Sequence, residues 1–337
     1  MQEKIGVVLL NLGGPDSLEA VEPFLFNLFS DPDIIDFPLA FLFRKRLAKM
    51  ISTRRHPRIQ EQYKQIGGKS PLKDHTLKQA AMLEQCLNEK LPAKVYVAMR
   101  YWHPSTEDAL DAIERDGIKN VILLPLYPQY SKATTTSSVK EWETQLAARG
   151  RSSQIGTSLI ESYYEFPRYI DAFVERVNEG LGRFPMGDRD DVHLLFSAHG
   201  TPMKLVRDGD PYSHHIKKTV DAILRKGGYT QSNSLCYQSK VGPLKWLTPS
   251  TPDTIRGLAA KGVKKMLVIP VAFASDHLET LYEVGIEFRH MAMQAGVERF
   301  EVSLGLNDSL IFIDALAQLV FEKVGFTEQG SAAGTDG

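Results

Sequence analysis

A histidine follows closely on an apolar run in the second half of the sequence. The apolar residues 194–196, together with Ser197, predict a buried strand. His199 lies two residues after Ser197 and just before Gly200. Its small neighbours leave the imidazole accessible at the end of the strand. A histidine in such a place can act as a general base or a metal ligand near neutral pH. The alternative is a core histidine that hydrogen-bonds to a backbone carbonyl.

A second group of ionisable side chains follows the predicted strand at 266–271. Residue 275 or 276 is expected to be the N-cap of a helix. Glutamates then recur every four residues, which puts them on one face of an α-helix. A solvated acidic face is the alternative, but a row of carboxylates beside a histidine also suits the relay of protons or cations. Imidazole with carboxylate suits ferrous iron among the divalent metals, without being selective for it. The members of this group are Asp276, His277, Glu279, Glu283 and Glu287.

Three arginines in the first half could hold the carboxylates of a ligand: Arg54, Arg55 and Arg100. Surface ion pairing is the alternative. Residues 24–46 form a dense aromatic and aliphatic stretch that ends in three basic residues. Such a stretch is typical of a core helix. It could also form the lip of a pocket for a flat apolar ligand, or a contact with a membrane interface.

Other catalytic motifs are weak. Ser197 lies two residues before His199, which leaves a hydrolase as an alternative, but no Gly-x-Ser-x-Gly elbow surrounds it. The glycines at 13 and 14 do not form a dinucleotide-binding fingerprint.

The elements that must position these residues alternate between short apolar runs and helical patterns. This alternation predicts an α/β protein with mostly parallel sheets. Strands are expected at 5–12, 95–99, 121–126, 194–197 and 266–271. Helices are expected at 71–91, 105–116, 137–149, 165–181, 213–227, 252–261, 277–295 and 308–324.

The chain contains an internal repeat. Between residues 104 and 125, seven of 22 residues are identical to those 145 positions later. The repeat predicts two similar lobes, residues 1–183 and 184–326, followed by a disordered tail at 327–337. Where the first copy has Leu12 and Thr134 at strand ends, the second has His199 and Glu279. Because ligands of open α/β sheets bind outside the carboxyl ends of the strands, we expect the chemistry in the second lobe, facing a cleft between the lobes.

The composition excludes several classes of protein. With 40 Lys and Arg against 41 Asp and Glu in 337 residues, the net charge of −1 argues against a nucleic-acid binder. Cys86 and Cys236 are too few and too far apart for a disulfide framework or a zinc knuckle, so a reducing compartment is expected. The start resembles no signal peptide and no apolar run is long enough to span a membrane, so we expect a cytoplasmic protein.

These residues together resemble the ferrochelatase family, whose members insert ferrous iron into a porphyrin. The resemblance extends over about residues 4–325. It is carried by the strings at 11–15, 54–63, 66–68, 100–101, 127–131, 197–200, 237–242 and 275–283.

The resemblance implies two Rossmann-like lobes with the porphyrin in the cleft between them. His199 would be the active-site histidine, which takes pyrrole protons or binds metal, and Glu279 would be its metal-binding partner. Asp276, His277 and Glu283 would continue a polar path for protons or metal. The 24–46 stretch would be a hydrophobic lip with a peripheral membrane contact. The substrate-binding residues would be Leu12, Arg54, Arg55, Arg100, Tyr101 and Trp246.

Two differences within the family refine this expectation. Animal members bind an iron–sulfur cluster through a cysteine just after the string at 127–131, where this chain has Lys132, and no cysteine follows Cys236. We therefore expect no cluster and no other resident cofactor. Members that act on coproporphyrin typically have tyrosine in place of Leu12, which favours protoporphyrin IX as substrate and protohaem as product, the terminal step of haem biosynthesis. The alternatives are a related type II chelatase for another tetrapyrrole or metal, and a non-enzymatic porphyrin carrier.

Overall fold

Eight strands form two four-stranded parallel sheets in the described part of the chain. The structure is a computed structural model that describes residues 3–32, 40–151, 154–240 and 244–325, with only the backbone of 40–42. The first sheet has the order β2-β1-β3-β4 and the second the order β6-β5-β7-β8. The strands are β1 (Ile5–Asn11), β2 (Ala93–Met99), β3 (Asn120–Pro125), β4 (Gly156–Leu159), β5 (His193–His199), β6 (Asn233–Gln238), β7 (Lys265–Pro270) and β8 (Arg299–Val302).

Helices connect the strands and cover the sheets. They are α1 (Val21–Ser30), α2 (Ala40–Gln65), α3 (Leu72–Asn88), α4 (Thr106–Arg115), α5 (Ser137–Ala148), α6 (Pro167–Gly182), α7 (Met203–Arg207), α8 (Tyr212–Gly227), α9 (Thr251–Ala260), α10 (Arg289–Gln294) and α11 (Leu310–Lys323). A 3₁₀ turn covers Met186–Asp191, and π-helical segments cover Lys132–Thr136 and Glu279–Phe288.

The two sheets have the same topology, which confirms the predicted α/β fold of two similar Rossmann-like lobes. The repeat is visible in local hydrogen bonds that recur 145 residues apart. Ser105 caps α4 by accepting from the amide of Asp108 at 3.1 Å, and Ser250 caps α9 by accepting from Asp253 at 3.2 Å. The glycine that follows each helix has a positive φ. Both copies therefore enter and leave this helix in the same way.

All five predicted strands are confirmed to within two residues, as β1, β2, β3, β5 and β7. Seven of the eight predicted helices are confirmed to within three residues, and the exception, at 277–295, is π-helical in its first part. The strands that sequence reasoning missed, β4, β6 and β8, all lie at sheet edges. Edge strands are less buried and lack the continuous apolar run that identifies a central parallel strand.

One apolar core extends across both sheets. It includes Leu9 of β1 and Phe196 of β5, and helices α6 and α11 close it. In this core, the ring of Tyr169 on α6 lies 5.3 Å from that of Phe173 and 6.4 Å from that of Phe312 on α11. Thus α6, before residue 183, packs against α11, after it, in one shared core. The lobe boundary at 183–184 stays a prediction.

Two other expectations fall partly or wholly outside the described residues. The predicted tail at 327–337 lies outside them, and so do residues 33–39 of the hydrophobic lip. No helix in the described ranges combines the length and apolar character that a membrane span requires.

Candidate active site

His199 is the last residue of β5, and its backbone is held on both sides. The hydroxyl of Tyr212 donates to the His199 carbonyl oxygen at 2.9 Å, and the next amide, of Gly200, donates to the Gln238 carbonyl at 2.9 Å. A Cβ at residue 200 would lie 2.8 Å from that carbonyl oxygen and 3.3 Å from the Trp246 ring. The close turn therefore requires glycine and fixes the position from which the imidazole projects.

Burial lowers the pKa of His199, and the nearby His277 adds to this effect while Glu279 opposes it. The net direction leaves the His199 imidazole neutral near pH 7. A neutral imidazole has a free nitrogen lone pair, so this side chain can accept a proton or bind a metal ion.

Phe273, which sequence reasoning missed, lies between the two histidines of the site. Its ring is perpendicular to that of His199 at 6.1 Å and lies 4.2 Å from that of His277. It follows β7, the strand paired with β5, so the two strand ends bring His199 and the 273–279 segment together. A lone phenylalanine after a strand is ordinarily a core residue, and no signal in the sequence separates this one from the others.

His277 and Glu279 form a hydrogen-bonded ion pair. The His277 Nε2 lies 3.0 Å from the Glu279 carboxylate, and its Nδ1 lies 3.2 Å from the Ser275 carbonyl oxygen. Because neither oxygen can donate, both ring nitrogens carry protons and the imidazole is positively charged. Burial opposes both charges, but the contact outweighs it, raising the pKa of His277 and lowering the pKa of Glu279. The Glu279 side chain is 36% exposed, so it also faces open space.

The carboxylate of Asp276 accepts hydrogen bonds on both oxygens, from the loop after β8 and from Thr280. It accepts from the Asn307 amide at 2.7 Å, from the Gly305 backbone at 3.2 Å and from the Thr280 hydroxyl at 2.9 Å. The Asp276 amide donates in turn to the Asn307 side-chain oxygen at 2.8 Å. The expectation that residue 275 or 276 caps a helix is wrong, because Leu278 occupies the N-cap position of the Glu279–Phe288 segment and no side chain caps it.

The glutamate row lies on the π-helical segment Glu279–Phe288 and not on an α-helix. In a π-helix each turn takes in nearly one residue more than in an α-helix, so side chains four residues apart still lie close to one face. Along this row Glu279 and Glu283 are both partly buried, whereas Glu287 is exposed. Only the first two glutamates of the expected row are therefore enclosed by the site, and the third faces solvent. Long π-helical segments are rare and are often found at functional sites, and the 3.6-residue period gives no sign of them.

Glu283 is held by Ser239, which follows β6 and has a positive φ of 64°. Burial raises the pKa of Glu283 to about 7, since it outweighs the Ser239 hydrogen bonds, and the charge on Glu279 acts in the same direction. This carboxyl group can thus change its protonation state near neutral pH.

Arg100 and Tyr101 belong to a buried ion-pair cluster. The Arg100 guanidinium lies 2.8 Å from the carboxylate of Asp31 and 2.9 Å from the Ser137 hydroxyl. The Tyr101 hydroxyl donates to the same Asp31 oxygen at 2.7 Å, and Tyr101 is only 2% exposed. In this conformation the polar groups of both side chains bind residues of the first lobe. Their contact with a ligand stays a prediction.

The remaining predicted ligand contacts are more accessible. Arg54 is exposed and forms no ion pair with another residue that the structure describes, whereas Arg55 lies over the Phe29 ring at 5.5 Å. Leu12 follows β1, where its carbonyl accepts from the Tyr101 amide at 3.0 Å. Trp246 packs beside Gly200, next to His199, and its indole nitrogen is buried without a hydrogen-bond partner.

Within the ranges described, no three or more His, Cys, Asp or Glu side chains are arranged to hold a metal ion. His199 and Glu279 could each offer one ligand atom.

The chain is similar to known proteins over nearly its whole length. A family model described as Ferrochelatase matches residues 4–324. Proteins named ferrochelatase from Gloeobacter violaceus and Geotalea daltonii are each 49% identical to it, over 325 and 320 residues. These alignments cover 96% and 95% of this chain and 98% of each relative.

Solved structures agree at the level of the fold. SirB from Bacillus subtilis with Fe³⁺ has a TM-score of 0.55 at 11% identity, and the match covers 97% of this chain and all of that chain. The sirohydrochlorin chelatase SirB in complex with cobalt, from the subspecies spizizenii, gives the same TM-score, with 96% and 97% covered. At this identity the likeness shows the two-lobed fold alone.

Proposed function

The chain belongs to the ferrochelatase family, and from this premise we propose that it inserts ferrous iron into protoporphyrin IX to form protohaem. In reaction class this is a lyase. The observation that carries the proposal is the meeting of His199 with the His277–Glu279 pair around one ring, that of Phe273. This arrangement sets a neutral base beside an anionic ligand.

The chemistry requires both of these groups. A free porphyrin carries two pyrrole N–H protons, and both must leave as Fe²⁺ enters the ring. Neutral His199 is suited to accept the first proton, and the Glu279 carboxylate is suited to bind Fe²⁺ as the ion approaches. Fe²⁺ at Glu279 would compete with the charged ring of His277, so metal entry favours loss of the His277 proton.

Glu283 gives the protons a way out of the site. With a pKa of about 7, it can take a proton and release it at neutral pH. It lies one π-helical turn beyond Glu279, on the same segment. We assign Asp276 a different part from the path that the sequence suggested: its three hydrogen bonds hold the loop that carries His277.

The porphyrin side of the site rests on the predicted contacts. Leu12 and Trp246 would line the macrocycle, and Arg54, the exposed one of the three arginines, would meet a propionate. Contacts remote from the nitrogens can distort the ring and expose their lone pairs to the metal, which raises the rate of insertion. The apolar Leu12 side chain supports protoporphyrin IX as the porphyrin.

We propose that the enzyme needs no resident cofactor, and specifically no iron–sulfur cluster. The amide of Lys132 donates to Asp210 at 2.8 Å and its ammonium group donates to the Asp208 carbonyl at 2.6 Å. A lysine whose ammonium group binds a backbone carbonyl stands where cluster-bearing members have a cysteine. Iron and sulfide analysis of the purified protein tests this proposal.

We also propose a cytoplasmic enzyme that contacts a membrane surface through its lip. On α2, Phe43 of the lip is 51% exposed and Met50, just beyond the lip, is 60% exposed, with the exposed Lys45 and Arg46 between them along the helix. Apolar side chains beside basic ones favour an interface with anionic lipids. Flotation with vesicles, with and without anionic lipid, measures this contact.

The deciding experiment mixes the protein anaerobically with ferrous iron and protoporphyrin IX and follows the visible spectrum. Many turnovers per protein, with the free-base bands replaced by a metalloporphyrin spectrum, would support the proposed function. A stoichiometric shift without turnover would favour a carrier. Turnover only with another tetrapyrrole or metal would favour a related chelatase and would contradict the interpretation of Leu12.

A further inference from the structure

Gln79 is a fully buried residue of α3 that reaches from the first half of the chain into the second. Its amide nitrogen donates to the Ser275 hydroxyl at 2.9 Å and to the Asn307 carbonyl oxygen at 2.6 Å. These two acceptors lie on separate loops, one after β7 and one after β8. A single side chain therefore ties both loops to the opposite lobe.

The orientation of the Gln79 amide follows from its partners. The Asn307 carbonyl can only accept, so the amide nitrogen and not the oxygen must face it. The Gln79 amide oxygen is then buried without a partner. Burying an unpaired oxygen opposes folding. Gln79 therefore donates its two hydrogen bonds at some cost to the stability of the protein.

The two loops that Gln79 holds are those that orient the His277–Glu279 pair. The Ser275 carbonyl accepts from the His277 Nδ1. The Asn307 side chain binds both the amide and the carboxylate of Asp276. Asn307 makes these two contacts from a backbone with a positive φ of 45°. A shift of either loop would move the His277 ring and, with it, the Glu279 carboxylate.

We propose that Gln79 is a positioning residue for metal delivery, which sets the geometry of the His277–Glu279 pair from the opposite lobe. The proposal rests on the proposed function, because it concerns the iron side of that same site. Its consequence is that the relative position of the two lobes and the position of the metal ligand are coupled through one amide group.

Gln79→Leu removes both donors while keeping a side chain of similar volume. Gln129→Leu is the matched control, because Gln129 is also buried and its amide donates to two hydroxyls, of Tyr169 and Thr219, each at 3.1 Å. Gln129→Leu therefore also loses two hydrogen bonds donated by a buried amide, but these do not involve the 275–279 loop. Both variants should lose thermal stability, so stability alone does not separate them.

Two measurements separate a positioning role from a structural one. In Gln79→Leu we expect the KM for ferrous iron to rise about tenfold with the KM for porphyrin unchanged, as outer contacts of metal ligands typically show. Hydrogen exchange of peptides covering 272–280 and 303–309 should also become about tenfold faster. Gln129→Leu should show neither effect.

A double-mutant cycle with Ser275→Ala tests whether Gln79 acts through Ser275. In the Gln79→Leu background, Ser275→Ala should raise the iron KM less than it does alone. Equal iron KM values in the two leucine variants, unchanged exchange in Gln79→Leu, or an additive cycle would each overturn the proposal. Absence of turnover by the wild type would refute the proposed function, while the exchange experiment would still decide whether Gln79 holds the loops.

Discussion

Ser239 holds both carboxyl oxygens of Glu283, with its amide at 3.0 Å from one oxygen and its hydroxyl at 2.5 Å from the other. This contact joins the end of β6 to the π-helical segment that carries Glu279. Two donated hydrogen bonds favour the carboxylate, yet burial is the larger effect and places the pKa of Glu283 at about 7. The group is thus fixed in position but free to change its charge.

Glu283→Gln should remove a pH dependence near 7 from the insertion rate. The carboxylate is the form that accepts a proton, so the wild-type kcat should rise as the pH increases through about 7. Glutamine cannot take the proton, and we expect kcat to fall about tenfold and to vary little between pH 6 and 8. Initial rates over this range provide the measurement. An unchanged inflection in the variant would exclude Glu283 from the proton path.

The same substitution should stabilise the protein at high pH. Because the folded-state pKa of Glu283 lies above its ordinary value of 4.5, the carboxyl group lowers the stability progressively as the pH rises from about 4.5 to about 7. At pH 8 we expect Glu283→Gln to gain about 1–2 kcal/mol, after a discount for partial exposure. Thermal unfolding at pH 8 and pH 4.5 checks this, and the gain should vanish at the lower pH.

His199→Ala should keep porphyrin binding and lose insertion. The variant lacks the neutral base, so we expect kcat to fall at least about 100-fold, with porphyrin affinity within about twofold of wild type. Fluorescence titration gives the affinity and metalloporphyrin absorbance gives the rate. His193→Ala is the matched control, since burial also lowers the pKa of His193, at the other end of β5. Near wild-type insertion by His199→Ala would refute the assigned role.

Glu279→Gln should weaken the handling of iron. The amide carries no charge, so we expect the KM for ferrous iron to rise about tenfold or kcat to fall by a similar factor. Glu287→Gln serves as the control, because Glu287 is exposed on the same segment and should leave both constants unchanged. Steady-state rates at varied iron and saturating porphyrin give the comparison. If neither constant moves in Glu279→Gln, this residue is not the metal ligand.

The sequence alone predicts the central strands and the site histidine because both depend on local patterns. The apolar run before His199 is a buried parallel strand, and the turn after it needs the small residue that the sequence shows. The internal repeat goes further, since it aligns Thr134 with Glu279. The structure places these two residues in its two π-helical segments. Comparing the halves therefore identified two structurally similar positions whose side chains differ in chemistry.

What the sequence could not predict depends on contacts between distant residues. The hydrogen bonds of Gln79 join residues 196 and 228 positions apart, and no periodicity relates them. Phe273 comes to lie between His199 and His277 only because β5 pairs with β7. The π-helical geometry of 279–288 likewise follows no local rule, so the expectation of an α-helix was wrong for the first part of 277–295.

Asp210 links the lobes beside His199, and its removal should affect both stability and catalysis. Its buried carboxylate accepts from the Ser131 hydroxyl at 2.9 Å, the Lys132 amide at 2.8 Å and the Tyr212 amide at 2.9 Å. In Asp210→Asn, the NH₂ group must face at least one donor, so we expect a loss of about 2–3 kcal/mol. Urea unfolding measures this loss.

The catalytic effect of Asp210→Asn follows from Tyr212, whose hydroxyl holds the His199 carbonyl. A displaced Tyr212 would release the end of β5, so kcat should fall about tenfold even where the variant is fully folded. Asp208→Asn is the control, because the exposed Asp208 contacts Lys132 only through its backbone carbonyl. A loss of stability in Asp210→Asn without any loss of kcat would show that Asp210 joins the lobes but does not position His199.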